Sequence, residues 1–279
     1  MLGYLRRNKN LSIGLTLLLI IALFALFGRL FWDISQADPL SGRANQRPSL
    51  DHPLGTDRQA RDLLAVMIVG TPKTLYVGLA AGIVGVTIGT IFGLLAAYFG
   101  GWIDTLIRGV VDIGLTIPAI LVLVLVAISL HAALTINQMA IVIGSFAWLF
   151  PTRTIRSQVL SIRERSYVQM ARMSGANAAQ VIFKEIMPNL LPYLAATFVG
   201  TVSGGVLASV GLDLLGLSEL DSNTLGVTLY WANFYAALLH GLWWWFLPPV
   251  IIIMLVFVGL YLVSSGLDEF ANPRTRRAV

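Results

Sequence analysis

The sequence predicts an all-α integral membrane protein with six transmembrane helices and both ends in the cytoplasm. Three observations carry that prediction. Of its 279 residues 57% are hydrophobic and 12% charged, with a mean hydropathy of +0.79, against roughly one-quarter charged in a soluble domain. The apolar residues fall into runs long enough to cross about 30 Å of hydrocarbon. The basic residues gather on one set of connections, which the positive-inside rule assigns to the cytoplasm.

Charge and composition also exclude function classes. A net charge of +5 and a pI near 9.7 would suit nucleic acid, but the Lys and Arg flank helices and form no basic face interleaved with aromatics. The chain has no cysteine and three scattered histidines, so it has neither disulfides nor a recognisable metal-ligand cluster.

The first span is predicted from Leu11 to Trp32, behind Arg6, Arg7 and Lys9. It is longer than a signal-peptide core and no small-x-small cleavage site follows, so it is read as an uncleaved span. Arg29 is placed at the outer interface. From Asp33 to Lys73 acidic and basic residues balance, and this stretch is assigned to the outside. Within it His52 to Asp57 reads as a turn, and Arg61 to Val69 as a short amphipathic helix on the membrane surface. A metal or catalytic role for His52 with Asp57 is the weaker reading, because no second histidine is near.

The second span, Thr74 to Phe99, carries Gly78, Gly82, Gly85, Gly89 and Gly93 at helical spacing, a groove that lets neighbouring helices approach closely. The third, Ile103 to Leu130, begins with Asp104, Arg108 and Asp112 at four-residue steps, which permits two ion pairs along one helix face. Pro118 is expected to kink it. The fourth runs from Ile136 to about Ile155. The fifth, Leu190 to Gly211, contains Gly200-Thr201-Val202-Ser203-Gly204-Gly205, small residues that face either a helix interface or an aqueous cavity.

Leu212 to Gly241 lacks Lys and Arg and is assigned to an outer loop. Trp231, Phe234, Tyr235 and Trp243 to Trp245 read as an interfacial aromatic belt in preference to a sugar-stacking platform. The last span runs from about Trp243 to Val263, and the tail from Asp268 to Arg277 is assigned to the cytoplasm.

Between the fourth and fifth spans lies the longest polar interruption, YVQMARMSGANAAQVIFKEIMP, Tyr167 to Pro188. It reads as helix, turn, helix: Ser174-Gly175 ends the first helix through a left-handed residue, Asn177 caps the second, and Pro188 stops it. The residues alone leave two readings open, a docking element or an ordinary cytosolic loop.

This segment resembles the EAA loop of binding-protein-dependent ABC import permeases, which inserts into a cleft on the ATPase subunit. Ala171, Gly175 and Pro188 keep the family spacing, while Gln169, Met170 and Met187 stand where the family usually has Glu, Ala and Leu. HPLGTDRQARD, DTLIRGVVDIGLTIP and the stretch from WWWFLPP to NPRTR resemble the same family, specifically the C-type permease of peptide, nickel and oligosaccharide importers. The resemblance implies a type I importer fold, with Gln169, Met170, Ala171, Arg172, Ser174, Gly175, Ala176 and Pro188 at the ATPase contact. It implies residues 1–73 as a tail, first helix and outer loop, 74–266 as the permease core with the coupling hairpin at 157–189, and 267–279 as a cytoplasmic tail.

The partners so implied are a second homologous permease, two ATP-binding cassette ATPases, an extracytoplasmic solute-binding protein and the lipid of a prokaryotic inner membrane. The implied cargo is a peptide or oligosaccharide. The chain itself has no G-x-x-x-x-G-K-[ST] sequence, so ATP and Mg belong to partner subunits. The rivals are a stand-alone secondary transporter, which predicts a coupling carboxylate near mid-membrane, and a membrane-embedded enzyme.

Overall fold

The computed structural model describes the backbone of residues 8–271 and the side chains of 8–267. Arg6, Arg7 and the tail residues from Asp268 onward therefore lie outside the described side chains. Among the described residues every regular element is helical.

Helix α1 spans Lys9–Phe31, its N-terminus capped by Asn8, whose side chain accepts from the Leu11 N–H. It lies along the last helix, α11 (Trp243–Ala271), because glycines remove the side chains between them. A Cβ at Gly14 would stand 2.8 Å from the Gly259 carbonyl, and one at Gly266 2.6 Å from Leu11 Cβ. Such contacts recover dispersion energy that lipid would otherwise supply.

Helix α2 runs unbroken from Leu63 to Phe99, capped by Asp62, whose Oδ1 accepts from the N–H groups of Leu64 and Ala65 at 2.7 and 3.0 Å. The expected surface helix at Arg61 to Val69 is thus the first two turns of this helix. It is not interfacial, because Leu63, Ala65, Val66, Met67 and Ile68 are all at most 2% exposed. A helix buried on every side belongs to a core. The glycine groove behaves as expected: Gly78 and Gly82 meet Val206 and Val202, while Gly85, Gly89 and Gly93 meet Ala147, Pro151 and Ile155.

The third predicted span is two helices, α3 (Gly101–Thr116) and α4 (Ala119–Ser129), bent by 83° around Pro118. The fourth is also broken, into α5 (Ile136–Phe146) and α6 (Leu149–Arg163). A capping box between Thr135 and Gln138 starts α5. Among the described residues four helices are long and apolar enough to cross a membrane, or five with the α3–α4 pair; α5 and α6, where the fourth span is expected, do not reach that length and apolarity.

After α7 (Ser166–Met173) a helix runs continuously from Ala178 to Leu214. It comprises α8 (Ala178–Gln180), a π segment (Val181–Ile186) and α9 (Met187–Leu214). Pro188 therefore does not stop it, contrary to the sequence reading. The π turn has already shifted the ladder, with the Met187 N–H bonded to the Ile182 carbonyl five residues back. The Asn189 side chain donates to the Glu185 carbonyl at 2.7 Å. Proline is tolerated where the normal bond has been given up in advance.

Leu212 to Gly241 is not a solvated loop either. Its helix α10 (Leu225–Phe234) buries Leu225, Gly226, Val227, Thr228, Leu229 and Ala232. It forms a cap together with residues 33–62 at the end of α2 away from the hairpin, and Arg61 is the clasp: fully buried, it pairs with Asp57 at 2.6 Å and donates through Nη1 to Asn223 Oδ1 at 2.8 Å.

Candidate coupling hairpin and groove

Residues 166–186 form the helical hairpin that the sequence predicts, and its turn is closed by backbone bonds. The Ala176 N–H donates to the Ala171 carbonyl at 3.1 Å and the Gly175 N–H to the Arg172 carbonyl at 3.0 Å, the paired 6→1 and 5→2 bonds of a Schellman C-cap. Gly175 has φ +85°, where a Cβ is strained. Asn177 and Gln180 then cap one another at 2.9 Å in both directions. The turn is consequently fixed before any partner arrives.

The hairpin has an inner and an outer face. Val168, Val181, Ile186 and Leu190 are buried against Leu94, Ala97, Ile155 and Val159 of α2 and α6, and Arg163 donates to the Ala97 carbonyl at 2.7 Å. Outward point Met170, Met173 and Phe183, exposed by 61, 87 and 67%. Of the eight residues implied for the contact, Gln169, Met170, Arg172, Ser174 and Gly175 are exposed, and Ala171 and Ala176 half-buried. Arg172 stacks its guanidinium 5.0 Å over the Tyr98 ring. Pro188 is exposed but lies about 15 Å along the helix from the turn, so it marks the base of the hairpin rather than its tip. Met173 and Phe183 fall outside the set implied by the resemblance, yet they are large apolar side chains exposed on the same hairpin, a pattern visible in the sequence as large apolar residues in a polar loop.

The structure corrects the Asp104, Arg108, Asp112 row. Asp104 is held by Arg156 of α6, in two bonds of 2.5 and 2.6 Å, and among the described residues Arg108 makes no ion pair with either aspartate. A planar guanidinium across the helix interface offers Asp104 a bidentate fit, which the neighbouring turn of its own helix cannot match.

Above the hairpin, α4, α5, α6 and α9 enclose a groove of about 590 Å³. Its walls are mostly apolar, with Thr154, Thr197, Thr201 and Tyr193 contributing hydroxyls. The small-residue stretch of α9 serves both uses the sequence left open. A Cβ on Gly205 would meet Ala81 at 2.9 Å, whereas Gly200 and Gly204 line the groove with nothing within 4 Å.

His52 Nδ1 lies 2.6 Å from Asp62 Oδ2, and among the described residues no group of three His, Asp or Glu could hold a metal. Trp244 and Trp245 are 5 and 0% exposed, so these two form a core under the cap and are not part of a belt, while Trp243 and Phe234 of the same aromatic set are exposed. Asp213, inside the stretch that the sequence assigns to a loop, is buried and accepts from the Thr224 hydroxyl at 2.6 Å, joining α9 to the start of α10.

An oligopeptide transport system permease protein OppC of Bacillus subtilis is 29% identical over 98% of this chain and 88% of its own length. A dipeptide transport system permease protein DppC of Alkalihalophilus pseudofirmus is 31% identical over the same shares. The inward-facing MetNI methionine ABC transporter superposes with a TM-score of 0.58 at 22% identity, covering 77% of this chain and 98% of its own, which supports the fold. Residues 1–48 match the N-terminal transmembrane domain of oligopeptide transport permease C. Residues 89–277 match the binding-protein-dependent transport system inner membrane component family, and the chain belongs to that family as a multi-pass permease subunit of an inner-membrane importer.

Proposed function

We propose that this chain is one of two permeases in a peptide importer, and that its hairpin receives the stroke of a partner ATPase. The observation that carries the reading is the hairpin's prefixed turn with Met170, Met173 and Phe183 left bare on an otherwise polar end. Exposed anchors beside a rigid turn suit a cleft on another protein. The relatives named for oligopeptide and dipeptide transport support peptide as the cargo, taken from an extracytoplasmic solute-binding protein. The groove lined by Gly200 and Gly204 would be this subunit's share of the pathway.

Coupling follows from linkage: the ATPase drives alternation only if it binds the inward- and outward-open forms with different affinity. The continuous helix from Ala178 to Leu214 joins the hairpin to the groove wall, so a displacement at Phe183 reaches Gly200 without crossing a loop. ATP and Mg act in the partner subunits.

The test is Gly175→Val beside Ala179→Val, at matched membrane levels. No atom lies within 4 Å of the Gly175 Cβ position, so the cost in this chain is the left-handed backbone alone, ~1–2 kcal/mol, and the bundle survives. ATPase copurification and peptide uptake should fall at least tenfold for Gly175→Val and stay near wild type for Ala179→Val. Normal values in both would reduce the hairpin to a cytosolic loop.

A further inference from the structure

We propose that the recess between α3 and α6 binds the phosphate of an anionic phospholipid headgroup from the cytoplasmic leaflet. The recess holds about 190 Å³ and is lined by Ile107, Arg108, Val111 and Asp112 of α3 and Thr152, Arg153 and Arg156 of α6. Three arginines line it, and only one has a fixed ion-pair partner. Arg156 is clamped by Asp104, while among the described residues the side chains of Arg108 and Arg153 make no hydrogen bond or ion pair and both residues are exposed. An uncommitted pair of arginines beside a positioned third is the donor array that a phosphate takes up.

Its depth suits a headgroup. From Ile113 to Thr152 the chain carries no Asp, Glu, Lys or Arg, so Asp112 and Arg153 are the last charges before the hydrocarbon. Arg163, ten residues further along α6, donates to the Ala97 carbonyl near the end of α2 against which the hairpin packs. The recess thus sits where the polar boundary of the bilayer must fall, on the side of the hairpin. Beside it α3 exposes Val110 and Ile113 by 49 and 68%. Those two side chains at the hydrocarbon edge give acyl chains a surface next to the phosphate site. Asp112, on the rim, opposes an anion, and its charge should weaken the site without abolishing it. The proposal depends on the hairpin side being cytoplasmic, which cysteine labelling reads independently.

The experiment uses the full permease assembled with its partner subunits in nanodiscs, with spin-labelled phosphatidylglycerol and phosphatidylcholine as probes. The wild type should immobilise phosphatidylglycerol preferentially. Arg108→Gln and Arg153→Gln should each lower the preference on the order of fivefold, Asp112→Asn should raise it, and Arg29→Gln, an arginine near the opposite end of α1, should leave it unchanged. Both arginines are exposed, so the variants fold; recovery and ATPase content confirm it. No preference in the wild type, or one that survives the double arginine replacement, would overturn the proposal. So would a preference seen in the isolated permease and absent from the assembly, which would give the recess to a partner's carboxylate. Binding of inorganic phosphate with no discrimination between the two lipids would assign the recess to a free anion and equally overturn it.

Discussion

Asp104 shows how far a residue's neighbours in sequence can mislead. Four-residue spacing points to Arg108, since i and i+4 side chains share a helix face. The partner is Arg156, 52 positions away and invisible to any local pattern. Asp104 and Arg156 are each about 20% exposed, so the pair is shielded enough to matter and loses strength through the water that remains. A double-mutant cycle with Asp104→Ala and Arg156→Ala should give a coupling of ~1–3 kcal/mol in thermal or denaturant unfolding of the purified permease. The cycle of Asp112→Ala with Arg108→Ala should give a value near zero. Equal couplings would return the pairing to the α3 face.

At the scale of elements, the glycines of α9 were legible as small and illegible as to direction. Periodicity says which residues share a face but not what that face meets, so Gly200 to Gly205 read equally as packing and as cavity wall. The answer lies in which helices come alongside: α2 brings Ala81 and Gly78 against Gly205, and nothing approaches Gly200 or Gly204. Two kinds of substitution should therefore part company. Gly205→Leu drives a side chain into α2 and should lower the yield of folded permease several-fold, whereas Gly204→Leu should fold normally and cut peptide uptake by narrowing the groove. ATP hydrolysis by the assembled Gly204→Leu complex, measured beside uptake, shows whether the hairpin still responds. Loss of folding in both variants would place Gly204 in a helix interface. The hairpin, by contrast, was legible almost to the residue, because its turn is determined by local chemistry: a positive-φ glycine, a Schellman pair and an asparagine cap. Pro188 misled because a π segment is a property of the ladder and leaves no residue signature comparable to proline's own.

For the whole molecule, the outer side is where sequence reading lost most. A segment rich in charge and turn residues, 33–73, and one lacking Lys and Arg, 212–241, both look like solvated loops. Each instead buries a few polar groups in pairs, Arg61 with Asp57 and Asn223, Asp213 with Thr224, while Asp38, Arg43, Arg47, Asp51, Glu219 and Asp221 stay exposed. A buried charge is indistinguishable in sequence from an exposed one until its partner is located. This cap also decides how orientation can be measured. Thr56 and Ser222 are the obvious loop positions for an introduced cysteine, yet they are 1 and 8% exposed and should stay silent to a maleimide from either side of the membrane. Leu50 and Leu239 are 98 and 89% exposed, and cysteines there should react with an impermeant maleimide added to intact cells. A cysteine at Ala179, exposed on the hairpin, should react only after the membrane is opened. The charge asymmetry motivates that order, since Arg153, Arg156, Arg163, Arg165, Arg172 and Lys184 all cluster at the hairpin end. Labelling at Ala179 in intact cells, with Leu50 and Leu239 protected, would reverse the molecule and take the hairpin out of reach of any cytoplasmic ATPase.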